Sequence, residues 1–136
     1  MHTTDYYNAF IEVSEDCRTA TGIIPPERAG ARTVARMQYG LIAGNPYGHT
    51  SDEMLFSVHA ARSGVPEAEM EAARQRFFSK GQPCMRASDL PRRYGWGIHF
   101  DDRGRMALYA VDSEGYARLK GDPALAHTKA MRSSAK

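Results

Sequence analysis

The sequence predicts an α+β fold: a small, mainly antiparallel sheet with helices packed on it. Two observations carry this. Strand-like segments stand near the start of the chain (Tyr6–Val13) and after mid-chain (Trp96–Phe100 and Arg105–Val111), while segments of helical periodicity are grouped between them. The regular alternation of strand and helix that a doubly wound sheet requires is missing. With 136 residues, 42% apolar and 25% charged, the chain is large enough to bury a core and ordinary in composition. It reads as one domain over residues 1–131, with a tail from Arg132 to Lys136 expected to fray.

In the first strand Tyr7, Ala9, Ile11 and Val13 share one face, expected to be the buried one, and Asn8 and Glu12 fall on the other with Tyr6 and Phe10. Residues 14–30, with Gly22 and Pro25-Pro26, read as a long loop. Val34, Met37, Gln38 and Leu41 recur at helical spacing between Arg32 and Ala43, and Ala35 and Ile42 widen the stripe. Thr50 and Glu53 fit a capping box at the head of a helix over Asp52–Arg62, although Met54, Phe56, Val58 and Ala60 also alternate as in a strand. Pro66 opens the next helix, with Glu67, Glu69 and Glu71 near its positive end and Met70, Ala73 and Phe77 on its buried stripe. Ser88 caps a short helix ending at Gly95. Around Asp101–Gly104 a symmetric hairpin would set Trp96 opposite Tyr109, Gly97 opposite Leu108 and His99 opposite Met106. Ser113 and Asp122-Pro123 each start a short helix in this reading.

The net charge of +2 is too small for a nucleic-acid or membrane partner to be expected. The N-terminal residues lack a basic region followed by an apolar run, and no stretch approaches membrane-spanning length. Cys17 and Cys84, far apart in sequence, are expected to be reduced thiols in a cytoplasm.

Residues that bind or react are densest between Phe77 and His99. Cys84 and His99 are candidates for a nucleophile and its base, but the Cys-x5-Arg spacing of a phosphate-binding cysteine loop fails, because Leu90 stands where the arginine belongs. Lys80, Arg86, Arg92 and Arg93 form a basic cluster with Tyr94 and Trp96. Of these Arg86 is the better ligand-binding candidate, since Gly81 and Pro83 constrain its approach, whereas Arg92 is expected on a solvated helix face. The five histidines and two cysteines show no zinc-type spacing, and Ser79–Pro83 does not fit a phosphate-binding loop, so neither a metal nor a cofactor is expected.

The blocks H-T-T-D-Y-Y-N-A-F-I-E-V (His2–Val13), T-V-A (Thr33–Ala35), N-P-Y (Asn45–Tyr47), T-S-D (Thr50–Asp52), F-F-S-K-G-Q-P-C and R-Y-G-W-G-I-H together resemble a family of small bacterial proteins of uncharacterised function. The resemblance spans His2 to about Arg132; it implies a bacterial single-domain protein and assigns no catalytic residue. The functional expectation drawn from the residues is a pocket for an anionic or polar small molecule, formed by Gln82–Arg86 and Tyr94–His99, with Gln82, Arg86, Tyr94, Trp96 and His99 as its binding groups. The alternatives are an enzyme using Cys84 or His99 at that pocket, and a homodimeric or partner-binding protein without catalysis.

Overall fold

A four-stranded mixed sheet in the order β3-β2-β1-β4 organises the chain. Its strands are β1 (Ala9–Glu12), β2 (Trp96–Phe100), β3 (Met106–Ala110) and β4 (Ala126–Lys129). The computed structural model describes residues 1–133. The β1–β2 and β2–β3 pairs are antiparallel and β1–β4 is parallel. Five α-helices accompany them: α1 (Val34–Gly44), α2 (Ser51–Ser63), α3 (Met70–Phe77), α4 (Asp89–Arg93) and α5 (Glu114–Lys120). Among the described residues no helix is long and apolar enough to cross a membrane.

The helix starts follow from their caps. Thr33 accepts a bond from Arg36 N, and Thr50 with Glu53 forms the reciprocal capping box, which resolves 51–63 as helix rather than strand. Ser88 and Ser113 cap α4 and α5 in the same way.

The sheet is covered on both faces. On one, Ala9, Ile11, Ile98, Phe100 and Met106 pack against Ile42, Met54, Val58, Met85 and Leu90. On the other, Phe10 meets Tyr116 and Leu119 of α5. The expectation that only one face of β1 is buried is therefore corrected: Phe10 is fully buried. Asn8, with φ of 48°, breaks the alternation just before the strand, which leaves Tyr7 exposed and lets Tyr6 pack on Phe100.

Two further corrections concern the C-terminal half. The hairpin register is shifted by one residue from the symmetric one: Trp96 faces Ala110, Gly97 faces Tyr109, and His99 faces Ala107. Gly104, with φ of 79°, takes the left-handed position of a three-residue loop, while Asp101 Oδ1 accepts from Arg103 N and Arg105 N. That extra residue moves every pair, so His99 shares its face with Tyr109 rather than with Met106 and Leu108. Asp122-Pro123 opens a turn, not a helix, and leads into β4. β4 buries almost none of its side chains, so no apolar period announces it; it is held by its ladder to β1.

The chain start is clamped to α2. One carboxylate, Asp52, accepts from Thr3 Oγ1, Thr4 N and Thr4 Oγ1, each at 2.7 Å. Asp52 N in turn donates to Asp5 Oδ1 at 2.8 Å. Thus the H-T-T-D and T-S-D blocks, distant in sequence, meet in space. At the other end Arg132 O accepts from Arg92 and Ser133 N donates to the Asp16 carboxylate; the rest of the tail expected to fray lies outside the described residues.

Candidate functional site

The residues singled out from the sequence do not converge on one place. The segment before α4 lies on the helical side of the sheet: Cys84 Sγ is 3.1 Å from the hydroxyl of Tyr6, whose ring packs on Phe100. Burial, and then the bond to Cys84, push the Tyr6 phenol up to about 12, so it stays protonated at neutral pH. His99 points to the opposite face, in the same row as Phe10 and Ala107. The pairing of Cys84 with His99 is therefore corrected: the sheet separates them, because the strand pleat sends His99, which lies between Ile98 and Phe100, toward the α5 side.

The other candidates also part company. Gln82 lines the same cleft as Cys84, and its Nε2 donates to Phe77 O at 2.7 Å. Arg86 does not line that cleft; its Nε donates to Lys129 O at 2.7 Å, at the end of β4. Trp96 packs on Tyr39 and donates from its indole nitrogen to Ile23 O at 2.8 Å, and Tyr94 O accepts from Ile23 N. Both serve the long loop rather than the cleft. Arg92 corrects the expectation of a free, solvated side chain: its guanidinium donates to Ala87 O and Arg132 O. Arg93 pairs with Asp89 at 3.6 Å.

On the α5 side His99 belongs to a small polar network. Tyr47 OH is 2.8 Å from His99 Nδ1 and 2.7 Å from Tyr109 OH. Tyr47 reaches them because its segment pairs with the free edge of β3, Tyr47 N donating to Met106 O and Met106 N to His49 O. Tyr47 sits at φ of 59°, a costly conformation for an aromatic residue. The space that Gly97 leaves beside the imidazole is taken by the Tyr116 and Phe10 rings, as a packed helix rather than a ligand would take it.

Burial holds the His99 imidazole below its ordinary 6.5, against the opposing pull of Asp101 and Asp122. The folded state thus binds fewer protons here than the unfolded state. His99 supports the fold above about pH 6.5, and that support is lost as pH falls through the lowered value. In a proton NMR titration the His99 Cε1–H signal is expected to have its midpoint below 6.5, and His99→Asn is expected to flatten the melting-temperature profile over that window. A midpoint at or above 6.5 would contradict the arrangement.

A cleft of about 430 Å³ lies between α1, α2 and the 82–89 segment. α2 contributes Leu55, Val58, His59 and Arg62, spaced so that they share one helix face. α1 contributes Val34, Ala35 and Gln38, and the opposite wall is Phe77 with Gln82–Met85 and Ala87–Asp89. A broader depression of about 660 Å³ adjoins it through His59, Phe77 and Gln82. His59 rests on the Phe77 ring, centroids 4.6 Å apart, and Arg62 reaches Arg32 O at 3.4 Å. At the floor, Ser88 Oγ donates to Gln38 Oε1 at 2.6 Å. Gln38 is a buried glutamine on the otherwise apolar stripe of α1, and that polar residue among apolar ones is the sequence signal for the floor of the cleft. Among the described residues no group of three or more His, Cys, Asp or Glu side chains gathers as a metal site would.

The fold and this cleft define a small α+β protein with a partly apolar cleft between two helices and the 82–89 segment. The chain belongs to the DUF6157 family, a family of unknown function, whose model matches residues 1–136. No curated protein and no solved structure matches the chain.

Proposed function

We propose that the protein binds a small organic molecule, with an apolar body and a polar or anionic end, in the cleft between α1, α2 and the 82–89 segment. The observation that carries this reading is the cleft itself: about 430 Å³, walled by Val34, Leu55, Val58 and Phe77, with a few polar groups at its floor and mouth. Ligand pockets commonly run from about 300 to 1,000 Å³ with this distribution of apolar wall and sparse polar anchors. Within this reading Gln82 remains a binding residue and Arg62 replaces Arg86 as the cation at the mouth. Catalysis by Cys84 with His99 as its base finds no support in the geometry, since the two flank opposite faces of the sheet. A soluble protein of a bacterial cytoplasm, with Cys17 and Cys84 both free, is the setting that suits the reading.

A methyl-labelled NMR screen of soluble fragments tests it. Saturable shifts are expected at Leu55, Val58 and Val34, and occupancy is expected to slow maleimide labelling of Cys84 in a Cys17→Ser background. If no fragment gives a saturable shift at those methyls, the cleft is not a binding site.

A further inference from the structure

We infer that the cleft selects ligands that end in a carbonyl-type oxygen, and that the side-chain amide of Gln38 is the group that recognises it. The inference rests on the cleft being a binding site and adds what it binds.

Gln38 is 5% exposed and lines the cleft. Its amide orientation follows from Ser88. The Ser88 hydroxyl oxygen already accepts the capping bond from Leu90 N at 3.1 Å. Its single proton is therefore directed elsewhere, to Gln38 at 2.6 Å. That separation is normal for O–H···O and short for N–H···O, so the atom facing Ser88 is the amide oxygen. The Gln38 Nε2 group is left with two N–H donors and no hydrogen-bond partner among the described residues.

This nitrogen is not sealed in the core. Among the described residues the side-chain polar atom that is both sealed and unpartnered is Arg92 Nε. Gln38 Nε2 therefore retains access to the cleft that its residue lines. A buried amide with its oxygen satisfied and its nitrogen open is a donor-only site. It rewards an acceptor and rejects a group that can only donate, because the rejected group leaves those N–H bonds dry and unpaired. A carbonyl or carboxylate oxygen at the floor, with the apolar body against Val58, Leu55 and Phe77, satisfies the arrangement. Asp89 and Arg62, which also line the cleft, offer opposite charges to the remainder of the ligand.

Three soluble ring compounds of similar size separate the outcomes: benzamide, a neutral carbonyl; benzoate, a carboxylate; and benzylamine, a donor-only ammonium. Affinities are read from NMR titrations of the cleft methyls and of the Gln38 side-chain N–H signals. Benzamide or benzoate is expected to bind at least tenfold more tightly than benzylamine, moving the Gln38 N–H signals. Gln38→Leu is expected to bring the three within about threefold of one another. Gln38→Glu, which replaces the donors with a carboxylate, is expected to invert the order toward benzylamine and to cover the case in which the leucine variant does not fold. Benzylamine binding as well as the other two to the native protein, or a ranking unchanged in the Gln38 variants, would overturn the Gln38 assignment while leaving the cleft a binding site. If none of the three shifts the cleft methyls but other fragments do, the ligand class is wrong; if nothing shifts them, the binding reading falls with it.

Discussion

Gly95→Ala is expected to destabilise the protein by about 2–5 kcal/mol, the sum of two separable costs. Gly95 has φ of 78°, a conformation that costs an L-residue about 1–2 kcal/mol. In addition, a Cβ there would lie 2.3 Å from Thr21 O and 2.5 Å from Thr19 Oγ1, so the long loop itself has to move away. Forced overpacking of this kind costs roughly 1–3 kcal/mol more. Gly64→Ala is the control: its φ is 65° but nothing lies within 4 Å of the added carbon, so only the conformational cost remains. Denaturant unfolding of both variants separates the two contributions. Equal losses would mean that the loop yields freely at Thr19 and Thr21.

Trp96→Ala is expected to cost about 3 kcal/mol, at the lower end for truncation of a large aromatic side chain. The indole is half-buried rather than buried, but it does two jobs at once. It packs on Tyr39 of α1, ring centroids 5.4 Å apart, and its N–H ties down Ile23 O. The pairing with Tyr109 expected from a symmetric hairpin is absent, so the loss comes from α1 and the loop instead of a cross-strand aromatic pair. Trp96→Phe is expected to recover most of the packing and forfeit about 1 kcal/mol for the missing hydrogen bond. Circular dichroism is the readout, because the substitution removes the one tryptophan. A loss below about 1 kcal/mol for the alanine variant would mean that the loop is held by Gly95 and Tyr94 without the indole.

The sequence made the helices legible because their signals are local. Thr50, Ser88 and Ser113 each declare a helix start within three residues, and each caps one. The hairpin was legible as a hairpin, but its register depended on whether Gly104 belongs to a two- or a three-residue loop, a choice that alternating residues on both strands do not decide. β4 was hidden because an exposed edge strand such as Ala126–Lys129 needs no apolar period; its partner β1 lies at the far end of the chain. The candidate residues are dispersed for a related reason. Density of reactive residues along Phe77–His99 is a property of sequence, and a strand that alternates faces distributes such residues to both sides of a sheet. Gln82 and Cys84 reached the cleft; the residues that complete it, Gln38, His59 and Arg62, come from helices read only for a packing stripe or a cap.

The position of β1 has a kinetic consequence. The first strand made is flanked by the two that come late, β2 on one side and β4 on the other, with β4 nearly the whole chain away. Closing that loop precedes any gain from the ladder, so this topology folds more slowly than its small size and many short helices suggest. On a ribosome, α1, α2 and α3 emerge long before the sheet they cover can exist. Until β4 has cleared the exit tunnel, β1 offers an open edge and Phe10 an uncovered ring, and that interval is when the nascent chain is most exposed to pairing with a neighbour.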